Sequence, residues 1–357
     1  MKTVRAWWIP AEDSGPEREY LWPYINRELG IRLFYGGDQR AIQLVRINNG
    51  QKAIIFVDSS VKSFDFLKDF PNRSVIVFFV SDETYGLTPN LRIILKESVE
   101  SIYRDYPIRN LRGLRGYARV VVNSFLVCGR NGLTYKGLII AFVAGLVMLC
   151  RQLIIKVSAK LVKREIKHLP LGYTGWYSER LEREFGIANT LDFFTWSENQ
   201  VKSGIPKQSL SFFAGQKGKF DRQMLLNQAE RQGLVPSRQF ENFGGPTESH
   251  LRVEAQEFYF EGLKESRFAL CPPGNYSGET FRYLESLLLH SLPIRASKVL
   301  SDPFFSLVSS DRAISPNKVE LERINEADRM AQIISQLENF RGKIGDVIAD
   351  ISSVGSS

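Results

Sequence analysis

Pro272-Pro273-Gly274 followed by Ser277 and Thr280 is a set of residues whose types and spacing could hold a phosphate or diphosphate. The polar loop leads into Phe281, Leu284, Leu288 and Leu289, apolar at helical spacing, so it feeds a helix N-terminus. Such a terminus presents unpaired backbone N–H groups and a partial positive charge, and the two hydroxyls add further donors. The same residues also fit an ordinary helix cap. A second candidate is Ser211-Phe212-Phe213-Ala214-Gly215 with Arg222 downstream. Glycine lets a backbone approach a ligand closely and a guanidinium binds phosphate oxygens in pairs, although any strand-to-helix turn can carry both residues.

The elements that must position these groups alternate between strand and helix. Arg267 to Cys271 is a short apolar strand, Glu279 to His290 a helix, and Leu292 to Ile294 a second strand. Further upstream, Ala53 to Val57 and Ser74 to Val80 are continuous apolar runs ending in Asp58-Ser59-Ser60 and Ser81-Asp82-Glu83, the pattern of buried parallel strands with polar carboxyl ends. Ser209 to Ala214 is a strand, Asp221 to Gly233 and Val253 to Lys264 are helices, and Arg323 to Val347 is a final periodic stretch. Two α/β domains with a cleft between them follow from this alternation. Pro206 interrupts the pattern, which places the boundary near Gly204 to Lys207 and divides the chain into residues 1–205 and 206–357.

The string from Phe268 to Pro293 resembles the donor-binding segment of exostosin-like glycosyltransferases. Phe268, Leu270, Cys271, Pro272, Gly274, Ser277, Thr280, Phe281, Arg282, Glu285, Leu287 and Pro293 fall on the family's pattern, whereas Pro273 and the basic Arg295 and Lys298 depart from it. The Phe-x-Gly loop ending at Gly215, the Ser81-Asp82-Glu83 triplet and Leu169-Pro170-Leu171-Gly172-Tyr173 resemble further elements of the same family. The resemblance implies the GT-B fold, two facing Rossmann-like domains, with an acceptor side in the first and a nucleotide-sugar site in the second. It implies transfer of a sugar from a nucleotide-diphosphate donor to a glycan or glycolipid acceptor, with inversion and no cofactor beyond the donor; the lack of an Asp-x-Asp disfavours metal-dependent donor binding.

Carried over residue by residue, Arg222 holds the diphosphate, Ser277 and Thr280 contact phosphate, Gly215 and Arg282 belong to the donor site, and Glu285 accepts ribose or sugar hydroxyls. Inverting transfer also needs a carboxylate to take the acceptor's proton, and Asp82 or Glu83 could supply it. Each has a plainer alternative: Glu285 an exposed helix glutamate, Asp82 or Glu83 a turn cap.

Composition narrows the classes. At 357 residues with 24% charged side chains the chain is long enough for two globular cores. Cys128, Cys150 and Cys271 are odd in number and far apart, and His168, His250 and His290 are dispersed, so neither a disulfide framework nor a zinc site is indicated. No Asp-x-Asp, Gly-x-Ser-x-Gly or Walker loop occurs.

The net charge of +8 is localised: thirteen Lys or Arg between Arg104 and Lys167 face two acids, leaving −3 for the remainder. This region, about residues 110–167, reads as an insert in the first domain. It contains an uncharged run at residues 138–150, which as a helix covers about 20 Å, short of a ~30 Å hydrocarbon core. Lys156, Lys160, Lys163 and Lys167 follow at 4-3-4 spacing, which predicts one cationic helical face toward an anionic membrane surface. A buried core helix followed by a solvated basic helix, or a dimer contact, fits as well. A basic patch also suits nucleic acid, but the adjoining apolar run favours lipid over it. Met1 to Trp8 carry no secretory signal, so the expectation is a cytoplasmic protein peripheral to a membrane.

Overall fold

A computed structural model of the chain describes residues 4–9, 31–35, 53–58, 61, 63–80, 87–104, 135–169, 172–188, 192, 207–216, 220–234, 238–240, 249–272, 281–294 and 317–353. The chain divides into two compact units, one of Met1–Val121, Val143–Gly175 and Gly342–Ser357, the other of Val122–Phe142 and Trp176–Arg341. Neither unit is a single stretch of chain. Gly204 to Pro206, where the sequence places its boundary, lie outside the described residues.

In the first unit β1 (Val4–Ile9), β2 (Ile31–Tyr35), β3 (Ala53–Asp58), β4 (Val75–Val80), β5 (Val99–Arg104) and β6 (Glu165–His168) form one sheet in the order β2-β1-β3-β4-β5-β6. Every pairing is parallel. The order reverses direction between β1 and β3, the kind of switch point at which open α/β sheets bind ligands. The two apolar runs read as strands in the sequence are β3 and β4, in register from Ala53 against Val75 to Asp58 against Val80.

Both faces of this sheet are covered, which is why those strands are apolar throughout rather than alternating. Ile55, Val57, Val77 and Phe79 point into one core with Leu67 and with Ile93 and Ile94 of α1 (Leu87–Ile94). Residues of the opposite parity make a ladder on the other face: the Phe56 and Phe78 rings stack at 4.4 Å, and those of Phe78 and Tyr103 at 4.7 Å. Stacking of this kind adds to what burial alone contributes.

Helix α2 (Tyr135–Leu161) lies between β5 and β6 in the chain, as a parallel pair requires. Its Ile155 and Ala159 are buried in the same core as Val77 and Phe79. The segment expected to be an insert thus contains the crossover helix of the sheet. The expected four-lysine face is also corrected. Helix α2 stops at Leu161, with the Lys163 N–H bonded to the Lys160 carbonyl at 3.2 Å, the Arg164 N–H to the Ala159 carbonyl at 2.9 Å, and Lys163 at φ 52°. This is a Schellman stop, in which a left-handed residue ends the helix. Lys156 and Lys160 are helical, Lys163 is the stop, and Lys167 lies in β6 opposite Tyr103.

The second unit holds β7 (Ser209–Phe212), β8 (Ala214–Gln216), β9 (Arg238–Phe240), β10 (Ser266–Leu270) and β11 (Leu292–Ile294). Strands β11, β10 and β7 form a parallel sheet in that order, and β8 pairs with β9, also in parallel. Its helices are α3 (Gly175–Phe185), α4 (Phe220–Arg231), α5 (Ser249–Glu265), α6 (Phe281–Leu288), α7 (Lys318–Arg323) and the first part of α8 (Glu326–Ser353). Gly262 lets α5 close on β7: a Cβ there would lie 2.0 Å from the Phe212 ring. The protein is therefore mixed α/β, built on parallel sheets and compatible with Rossmann-like winding.

Candidate functional site

The strand, loop and helix that the sequence singles out are β10, residues 271–280 and α6. Strand β10 sits between β7 and β11, and the Cys271 N–H bonds the Ile294 carbonyl at 2.9 Å, holding the chain where it leaves the sheet. Residues 273–280, with Ser277 and Thr280, lie outside the described residues. Thr280 immediately precedes the first residue of α6.

Arg282, in the first turn of α6, reaches back to the other sequence element. Its Nε donates to the Ala214 carbonyl at 3.3 Å, and its guanidinium stands 5.9 Å from the Phe213 ring centroid. A Cβ on Gly215 would lie 2.6 Å from Arg282 Nη2, so the guanidinium uses the space that a side chain there would need. Two segments more than sixty residues apart in sequence thus meet at one place. Arg222 is on α4, with its side chain outside the described part.

One turn along α6, Glu285 is only 3% exposed, which removes the exposed-glutamate alternative. Its Oε2 accepts a hydrogen bond from Tyr259 on α5 at 2.9 Å, and its main-chain carbonyl accepts one from Tyr177 on α3. Burial, and then the Glu285 charge, push both phenols well above their ordinary range, so both remain protonated donors. A buried carboxylate needs such a partner, because an unpaired one costs several kcal/mol, on the order of 3–5. The two tyrosines were not among the sequence candidates; Tyr177 and Tyr259 are separated from Glu285 by 108 and 26 residues, and no local pattern links them.

Asp82 and Glu83 lie outside the described residues, just beyond the carboxyl end of β4. At the same edge of that sheet Arg104, the last residue of β5, is fully buried with its guanidinium 5.4 Å from the Phe79 ring centroid. The sequence counts it only as one charge of the basic run, since Val-Glu-Ser-Ile-Tyr-Arg mixes apolar and polar residues and gives no local sign of its burial. Lys167 Nζ pairs with Asp350 of α8 at 2.5 Å and with Glu165 at 3.4 Å. Burial acts to lower the Lys167 ammonium and the Asp350 bond more than offsets it, so its pKa is raised.

A half-buried lysine lies elsewhere in the second unit. Lys207 Nζ donates to the Lys264 carbonyl at 2.6 Å and the Leu289 carbonyl at 2.7 Å, at the C-terminal ends of α5 and α6, where helices favour a cation. Burial and then the Arg329 charge lower it to about 7. Burial, Lys207 and Arg329 lower His290 to about 3, and Arg329 donates to the His290 carbonyl. His290 is a packing residue, 4% exposed.

Among the described residues no cluster of His, Cys, Asp and Glu could hold a metal ion, and no helix is long and apolar enough to cross a membrane. No family model, no curated protein and no solved structure matches the chain.

Proposed function

We propose that this chain is a glycosyltransferase of the exostosin-like type with a two-domain GT-B arrangement, moving a sugar from a nucleotide-diphosphate donor to a glycan or glycolipid acceptor. The observation that supports this reading is the meeting of Gly215 with Arg282, which brings the Phe-x-Gly loop to the first turn of α6, the helix that carries Glu285 and that Ser277 and Thr280 precede in the chain. In this reading the diphosphate is held by Arg222, Arg282 and the N-terminus of α6, whose positive end suits an anion. Glu285, fixed by Tyr259, orders the donor end of that helix. Asp82 or Glu83 takes the proton from the acceptor hydroxyl as its oxygen bonds the anomeric carbon from the face opposite the diphosphate; the bond to the diphosphate breaks and the configuration inverts.

The deciding experiment is a panel of nucleotide sugars offered to the purified full chain, read as transfer, hydrolysis and nucleotide binding. Turnover with one donor, lost in a folded Arg222→Ala variant, supports the enzyme. Neither turnover nor binding across the panel would leave a second reading, a non-catalytic membrane- or nucleic-acid-binding protein on a glycosyltransferase-like fold, which the localised basic charge favours.

A further inference from the structure

We propose that helix α2 is a lipid-docking element that lies in the plane of an anionic membrane surface, its apolar stripe toward the acyl chains and its basic flanks toward the headgroups. Within the first unit Val143, Leu146, Cys150, Leu153, Val157 and Leu161 recur at steps of three and four, the spacing of one helical face. All six are exposed, with Val143 at 50%, Leu153 at 64% and Leu161 at 77%. Val147 and Ile154, also exposed, widen the stripe. A surface helix of a globular domain normally turns polar residues outward, and contiguous exposed apolar patches mark interaction sites.

The opposite side of the same helix is already used. Ile155 and Ala159 are buried against the core of the six-stranded sheet. Helix α2 is thus apolar on both sides, with core on one and the stripe facing outward.

Charge selects the occupant. From Tyr135 to Leu161 there is no Asp or Glu, while Arg151 and Lys160 are exposed and Lys156 is half-buried. At about 100° per residue Arg151 falls on one edge of the stripe and Lys156 and Lys160 on the other. Long basic side chains flanking an apolar stripe can reach anionic headgroups while the stripe enters the acyl boundary. A second copy of this helix would bring the same cations to both flanks and be repelled.

The anchoring on the back of the helix also sets its orientation. Held to the sheet through Ile155 and Ala159, α2 cannot swing along the membrane normal without opening that core, so it lies in the surface. This inference does not rest on the proposed activity, since an inactive protein would dock equally.

The test uses the full chain carrying Cys128→Ser, labelled at Cys150 with an environment-sensitive fluorophore; Cys150 is exposed on the stripe and Cys271 is buried. With vesicles of phosphatidylcholine and phosphatidylserine the emission shifts to the blue, and unlabelled protein sediments with them, less so at high salt and less with phosphatidylcholine alone. Lipid spin labels near the headgroup quench more than labels at mid-bilayer. Leu153→Glu with Val157→Glu, both at exposed positions, lowers the sedimenting fraction about tenfold, because the apolar area no longer enters the interface. Unshifted emission and no sedimentation on anionic vesicles overturn the proposal, and stronger mid-bilayer quenching overturns the in-plane orientation. A lipid-free dimer in light scattering that Leu153→Glu dissociates assigns the stripe to a second copy instead.

Discussion

Arg282 occupies the space that a side chain on Gly215 would require, with its Nη2 2.6 Å from the position of a Cβ there. The Arg282 Nε bond to the Ala214 carbonyl fixes the guanidinium against that strand. Gly215→Ala displaces the guanidinium and also strains the strand, because position 215 has φ 159°, a backbone that L side chains rarely adopt. Under the proposed function, the expected outcome is a loss of nucleotide-sugar binding of about tenfold or more, the weight of one charge-assisted contact, in a protein whose melting temperature also falls because of the strained backbone. Titration calorimetry with the donor found in the panel, beside a thermal melt, checks both halves.

Tyr259 and Glu285 make a buried, charge-assisted hydrogen bond, so their two deletions should differ. Tyr259→Phe leaves a carboxylate short of a donor and is expected to cost about 1–3 kcal/mol in urea unfolding. Glu285→Gln keeps an acceptor oxygen for the phenol and should unfold close to wild type. Turnover lost in Glu285→Gln with stability retained would place the carboxylate in donor binding; equal loss of stability in both variants would make it a packing group.

His290 gives the second unit an acid-sensitive term. Its pKa is about 3 in the fold against 6.5 ordinarily, so between those values the unfolded chain takes up a proton that the folded chain refuses. Its contribution is unaltered above pH 6.5, and stability falls as pH drops from 6.5 toward 3, by up to about 1.4 kcal/mol per pH unit from this one group. His290→Asn suits the site, because position 290 has φ 57° and Asn tolerates that region. Urea midpoints measured from pH 7 to pH 4 should fall less steeply for this variant than for wild type; parallel curves would contradict the assignment.

Lys207 produces the same sign in a different window. Its ammonium is held near pKa 7 against 10.5, so stability rises with pH from 7 toward 10.5 as the unfolded chain loses the proton the fold has already released. Lys207→Met should flatten that rise in thermal melts, at the cost of leaving the Lys264 and Leu289 carbonyls without this donor.

Lys163 stops helix α2 in the left-handed region, at φ 52°, where a side chain is unfavourable. Lys163→Gly is expected to stabilise the protein by up to about 1 kcal/mol, since glycine reaches that conformation without a Cβ penalty. A denaturation midpoint at or below wild type would contradict the Schellman stop. Membrane sedimentation should be unaltered, because Lys163 lies beyond the helix end.

Local order was legible in the sequence. The runs at Ala53 and Ser74 became β3 and β4, and Arg267 to Ile294 became strand, helix and strand, because apolar periodicity and Pro or Gly punctuation act within a few residues. What lay beyond reach was whatever depends on two distant segments meeting. The spacing of Lys156, Lys160, Lys163 and Lys167 suggests one helix, yet a two-bond stop at Lys163 ends it, and Asp350, far along the chain, engages Lys167. Likewise the residue types between 138 and 161 determine that the helix carries apolar residues on two opposite sides, with basic residues between them. Only the packing of Ile155 and Ala159 against the sheet decides which side is core and which is left bare. Glu285 follows the same rule: its place on a helix is a local property, while its burial comes from Tyr177 and Tyr259 closing over it from α3 and α5. Periodicity is written into neighbouring residues, whereas burial is set by what the folded chain brings against them.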